Sequence, residues 1–318
     1  MAPTFHWMQA PSTPPASRSS LRFQHLQKFS VVTLMSNIHN LPRQTASALP
    51  HTLLSSIVFP PQCLVYISPL LPTDMNALVD RMSTLITPSS MRVIDATQTP
   101  GGSGRISFAL VQPSESRGVR YSLALGNHNE DTETIRRSIR FTMAASPLFS
   151  AIRELWVDTG AIELICGAQS TVLRSLTLLE YLSVGCSSVD NPGLHEVLAV
   201  LSAVCAQGDA FVCPKLNTLS LIGFVPVEPE RLIAQLRLVL AVRNGLEKPL
   251  THLALCLDLE GEALVDARML GSLVEHFSLN DPEVEAPAEI EWERYWEDRV
   301  PAGCGATDEI CDHWPVWK

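Results

Sequence analysis

The sequence predicts an α/β fold in which short parallel strands alternate with helices and stack as a solenoid, a curved parallel sheet with helices on its convex side. Three observations carry that expectation. An apolar-x-x-apolar-x-apolar phrase recurs at the head of successive β-like runs, and runs with helical apolar spacing follow it. Hydrophobic residues make up 46% of the 318 and charged residues 18%, enough for a core. Only 6% are aromatic, so aliphatic side chains, chiefly Leu, must fill an interior built of similar narrow layers.

In chain order, the composition of residues 1–20 (Pro, Ser and Ala) predicts a disordered N-terminal segment. The first copy of the phrase is Leu26-x-x-Phe29-x-Val31. Less regular strand candidates follow around Leu64–Ile67 and Arg92–Ile94. Gly101–Gly104, then Ile106–Val111, a polar turn and Tyr121–Leu125, predict an irregular β-hairpin near 105–125. Four cleaner copies open with Ile152, Leu179, Leu216 and Leu250, and their middle residues are Leu155, Leu182, Leu219 and Leu253. Helices are expected over 193–205, 227–243 and 261–277; the second has acids in its first turn and Arg243 before Asn244-Gly245 at its end.

One such unit cannot stand alone. Burying three or four aliphatic side chains yields roughly 1.5–3 kcal/mol each. Ordering about thirty residues costs about 1–2 kcal/mol per residue in backbone entropy. Neighbouring units must therefore share their interiors. A doubly wound α/β domain alternates strand and helix too. Short helix-to-strand links and the lack of a Gly-rich phosphate loop after any strand favour the solenoid.

Charge and motifs restrict function. The net charge is −10, which disfavours nucleic acid as partner. No stretch is long and apolar enough to suggest a membrane span, and the N-terminus lacks the apolar core of a signal peptide. The eight cysteines form no CxxC pair, and several sit in apolar runs, as expected of small buried hydrophobes in the cytoplasm or nucleus. No P-loop, HExxH, GxSxG or strand-linked GxGxxG occurs, so neither an enzyme nor a cofactor is expected. Cys304, Cys311 and His313 lie close in sequence but lack paired zinc spacing, and no metal site is expected. His195 and His252 read as structural histidines.

Residues 281–318 form an acidic, Trp-rich tail. Eleven acids against three bases there account for −8 of the chain's −10. Trp292, Trp296, Trp314 and Trp317 are four of the six tryptophans. A cap over the exposed core of the last unit is the favoured reading; a recognition segment for a basic partner is the other.

Strand alternation puts the non-core positions of each clean strand on the concave face. These are Arg153, Glu154 and Trp156; Glu180, Tyr181 and Ser183; Asn217, Thr218 and Ser220; and Thr251, His252 and Ala254. They are the candidate binding residues, and an unidentified protein is the expected partner. An α/β enzyme with an unrecognised site, or a non-functional fragment, are the alternatives.

Residues 21–280, through SLRFQHLQKFSVV, FSAIRELWVD, VCPKLNTLSLIGF and LRLVLAVRNGLEKPLTHLALCLD, resemble the leucine-rich-repeat region of the F-box-like proteins of mushroom-forming fungi (basidiomycetes). The resemblance implies a leucine-rich-repeat domain that holds substrates for a ubiquitin ligase. It also implies an N-terminal F-box that docks the ligase adaptor. Here the chain departs from the family. Leu49-Pro50 imitates an F-box opening, but Phe59-Pro60-Pro61 stops the helix and the rest of the motif is absent. Leu49–Ile57 is expected to be a repeat helix. The function implied is protein binding by a degenerate F-box-type substrate receptor.

Overall fold

The structure is a computed structural model that describes residues 21–22, 28–32, 57–58, 64–70, 75–84, 86–95, 105–112, 117–124, 132–166, 171–185, 192–203, 211–224 and 228–280. Two short strands, β1 (Leu21–Arg22) and β3 (Ile57–Val58), pair with each other. The remaining strands are β2 (Lys28–Val32), β4 (Leu64–Leu70), β5 (Ser90–Asp95), β6 (Arg105–Gln112), β7 (Arg117–Ala124), β8 (Glu154–Asp158), β9 (Tyr181–Gly185), β10 (Thr218–Phe224), β11 (His252–Leu257) and β12 (His276–Leu279). They form one sheet in the order β12-β11-β10-β9-β8-β5-β6-β7-β4-β2. Only β6 runs antiparallel to its neighbours. The helices are α1 (Met75–Ser83), α2 (Thr132–Ala145), α3 (Pro147–Ser150), α4 (Thr159–Cys166), α5 (Thr171–Ser175), α6 (Pro192–Ser202), α7 (Pro229–Gly245) and α8 (Gly261–Met269).

From β8 to β12 the strands neighbour one another in chain order, each parallel to the last. The recurring phrase sets their register. Leu155, Leu182, Leu219, Leu253 and Phe277 align, as do Val157, Val184, Leu221, Leu255 and Leu279. The opening residues Ile152, Leu179, Leu216 and Leu250 are buried beneath the same layer. A backbone ladder links the strand entries. The carbonyl of Ser89 accepts from the N–H groups of Arg153 (2.7 Å) and Glu154 (3.0 Å), and Arg153 accepts in turn from Glu180 and Tyr181. Glu180 accepts from Asn217 and Thr218, and Asn217 from Thr251 and His252. Thr251 then accepts from His276 at 2.8 Å. One repeated hydrogen-bond pattern thus satisfies the loop backbone at every step, as buried peptide groups require.

The hydrophobic cluster takes its strand members from one face of the sheet, including Val93, Phe108, Tyr121, Val157, Val184, Leu221 and Leu255. Helical residues of that cluster, such as Ile139, Ile162, Leu198, Leu236, Leu240 and Ala267, pack on the same face. The opposite face is the sheet's open face. Helix α7 shows how sequence sets this layer. Pro229 enters at its first turn, Glu230 follows, and Leu232, Ile233, Leu236, Val239, Leu240 and Arg243 are its buried stripe.

The expected hairpin is β6 and β7, paired from Arg105↔Ala124 to Gln112↔Arg117. It is inserted between β4 and β5, so two parallel units are separated by an antiparallel pair. Phe108 stacks on Tyr121 on the core face, with ring centroids 4.9 Å apart. Across the other face, the Ser107 and Ser122 hydroxyls are hydrogen-bonded at 2.9 Å.

Three expectations need correction. The helix expected over 261–277 ends at Met269, where a 3-10 turn (Leu270–Leu273) leads into β12. Leu270, Leu273 and Val274 keep helical spacing past that end, which disguises the stop. Ile57, expected at the end of a repeat helix, lies in a strand; residues 49–56 are outside the described residues. Arg92–Ile94 belongs to a full unit, whose Pro88, Met91 and Val93 occupy the phrase positions. Among the described cysteines, Cys213 is buried and Cys256 half-buried.

Candidate binding surface

The open face carries three rows of residues set by the strand register. The lip, just before each strand, presents Arg153, Glu180, Asn217 and Thr251. Behind it Ser90, Glu154, Tyr181, Thr218, His252 and His276 lie side by side. A third row runs Arg92, Trp156, Ser183, Ser220, Ala254 and Ser278. All twelve expected strand-face residues therefore fall on one continuous surface. The sequence reading missed Ser90, Arg92, His276 and Ser278, which extend that surface by one strand at each end. The signal was present: Pro88-x-x-Met91-x-Val93 and Val274-x-x-Phe277-x-Leu279 repeat the phrase with little leucine.

Side-chain contacts divide the surface into a rigid part and an available part. Glu154 accepts from Ser90 Oγ at 2.6 Å through one carboxylate oxygen and from Trp156 Nε1 at 2.8 Å through the other. Trp156 leans on Tyr181 with ring centroids 5.2 Å apart. Trp156 is only 7% exposed, so strand alternation placed it on the correct face but not in solvent. Ser183 and Ser220 are buried too. The lip is more accessible: Arg153 and Glu180 form an ion pair at 2.8 Å with side chains 55% and 37% exposed. Such a pair adds at most about 1 kcal/mol to stability and can exchange its partner for that of a bound chain. Asn217 is exposed and accepts from the Thr218 hydroxyl at 2.8 Å. His252 and His276 are exposed and stack at 4.4 Å.

Thr251 Oγ1 lies 2.8 Å from His252 Nδ1, a pairing that resembles a hydroxyl nucleophile beside its base. The hydroxyl also lies 3.2 Å from the Asn217 carbonyl, so its single proton has two acceptors in reach. Among the described residues no group of three or more His, Cys, Asp or Glu could hold a metal ion. No described helix is long and apolar enough to cross a membrane. His195 contacts Gln235 between α6 and α7, a structural role on the helical side. The tail residues Trp292, Trp296, Trp314 and Trp317, with Cys304, Cys311 and His313, lie outside the described residues.

No family model matches the chain, and comparison with curated proteins and with solved structures also finds no match.

Proposed function

We propose that the chain is a protein-binding module of leucine-rich-repeat type that grips its partner on the open face of the sheet. The supporting observation is the row structure itself. Successive in-register strands present polar and aromatic side chains at fixed intervals, while their alternate residues fill a shared core. The units β8 to β12 follow one another in space as in sequence, and the backbone ladder from Ser89 to His276 repeats at each step. Both features favour a solenoid over a doubly wound sheet, whose strand order reverses about a switch point. The surface chemistry supports a binding role: an ion pair, amides, hydroxyls and imidazoles are spread along a lip rather than converging on one reacting atom. Together with the resemblance to the fungal F-box-like proteins, the reading extends to a substrate receptor of that kind that lacks a recognisable F-box.

Affinity purification of the tagged chain from fungal cells with the proteasome blocked tests this reading when run beside an Arg153→Glu/Asn217→Arg variant. Both positions are exposed, and the double variant should unfold within about 1 kcal/mol of the wild type. Proteins captured by the wild type and lost by the variant are the expected result. A cullin-ligase adaptor among the captured proteins would identify a working receptor. An identical set with the variant would show that the open face is not the binding surface.

A further inference from the structure

We infer that the sheet's far edge, β12, is the docking place for the chain's own segment 281–318, which adds backbone to the strand and tryptophans to its apolar rim. β12 is the last strand of the described sheet. Its core-facing residues Phe277 and Leu279 are only half-buried, whereas their counterparts Leu253 and Leu255 are 1% and 2% exposed. Leu264, Leu273 and Val274 are likewise half-buried around them. Phe277 rests one side of its ring on Gly271, where a Cβ on the glycine would come within 3.0 Å of the ring.

The backbone is unfinished in the same direction. His276 N–H donates to Thr251 and Asn280 N–H to Leu255, both at 2.8 Å. Alternation along a parallel strand therefore turns the N–H and C=O groups of Phe277 and Leu279 away from β11. A row of such groups beside apolar side chains is a template for another strand.

Two considerations select the chain's own segment. The first is reach. Segment 281–318 starts at the residue after Asn280, and the 18 residues 258–275 suffice to return the chain from the end of β11 to the start of β12. The 38 residues of 281–318 are about twice that length. Tethering at this distance supplies an effective concentration on the order of millimolar. Four of the chain's six tryptophans lie in the segment, matching an apolar rim short of large partners. The second is charge. The segment carries −8, so pairing two copies through this edge would bring two strongly acidic segments together.

Amide hydrogen exchange on the full chain tests the inference directly. The amides of Phe277 and Leu279 should be protected in the wild type, equally at high and low protein concentration. Trp292→Ala/Trp296→Ala and Trp314→Ala/Trp317→Ala variants remove the tryptophans in pairs, and at least one pair should speed those two amides by about tenfold, the equivalent of 1.4 kcal/mol. The amides of Leu219 and Leu253 serve as internal controls and should not change. Unprotected wild-type amides would overturn the proposal. Protection that fades on dilution would assign the edge to a second copy, and protection surviving in both variants would assign it to something other than this segment.

Discussion

Arg243, in the last turn of α7, donates through Nη2 to the carbonyl of Leu216, the residue that opens the preceding strand unit, at 2.7 Å. The same nitrogen reaches the Cys213 carbonyl at 3.2 Å, and Nε reaches Lys248 in the turn that follows the helix at 3.1 Å. The guanidinium also lies 4.8 Å from the centre of the Phe211 ring, and the side chain is fully buried. One cation therefore ties the start of one unit to the end of its helix and the entry to the next. Planar, forked donors suit this role and an ammonium does not.

Arg243→Met should cost about 3–5 kcal/mol, because three carbonyls lose a charge-assisted donor in a dry site. Arg243→Lys should recover less than half of the loss. Urea unfolding of the full chain measures both; a loss below about 1 kcal/mol for Met would mean that the carbonyls are satisfied otherwise.

Tyr121 offers the opposite case. Its ring is well placed against Phe108, yet its buried hydroxyl makes no hydrogen bond. Tyr121→Phe should leave the packing intact and stabilise the chain by about 1 kcal/mol, the cost of an unsatisfied buried hydroxyl. Burial also raises the Tyr121 pKa far above its ordinary value of 10.0. The folded phenol stays protonated where the unfolded one ionises, so its contribution to stability is full below pH 10 and is lost as pH rises beyond it. Arg243 works in the other sense: burial lowers its pKa to about 10, well below the ordinary guanidinium value, so its contribution improves as pH rises above 10. Comparing wild type and Tyr121→Phe by urea unfolding at pH 8 and just above pH 10 isolates the phenol. The gap between them should widen at the higher pH; a constant gap would refute the assignment.

The middle of the fold was legible in the sequence because its phrase positions are leucines. Leu179, Leu182, Leu216, Leu219, Leu250 and Leu253 reveal both strand and register, and the pairing follows them. The ends were harder to read. At β5 the phrase is carried by Pro88, Met91 and Val93, and the next unit is reached only after an inserted hairpin. At β12 the spacing of Leu270, Leu273 and Val274 prolongs a helical pattern through a 3-10 turn, so strand and helix compete for the same residues. Trp156 shows a different limit. Period-2 alternation assigns a face but says nothing of neighbours, and here Glu154 and Tyr181 draw the indole down onto the sheet.

That indole yields a prediction at Glu154. Glu154→Ala leaves Ser90 Oγ and Trp156 Nε1 without this acceptor, two hydrogen bonds to a charged group in a half-buried site. A loss of about 1–3 kcal/mol is expected, while Glu154→Gln should retain part of it because its amide oxygen still accepts one donor. In a background with the other five tryptophans replaced by phenylalanine, Trp156 fluorescence should shift to the red in the alanine variant. An unmoved emission maximum would mean that Tyr181 and the neighbouring strands, rather than the carboxylate, hold the ring.

Asn280 ends β12 by two separable means. Its backbone is left-handed at φ 50°, and its side-chain oxygen accepts from the Leu257 amide at 2.8 Å, pinning the strand's end to β11. Asn280→Gly keeps the conformation available but deletes the bond, and should cost about 1 kcal/mol. Asn280→Ala deletes the bond and also forces a Cβ-bearing residue without local side-chain support into the left-handed region, adding about 1 kcal/mol more. The ordering Asn over Gly over Ala in unfolding free energy is therefore expected, with faster amide exchange at Leu257 in both variants. Equal losses for Gly and Ala would show that the turn relaxes when the side chain goes. Strand β12 would then be held by its ladder to Thr251 and Leu255 rather than by the geometry of its last residue.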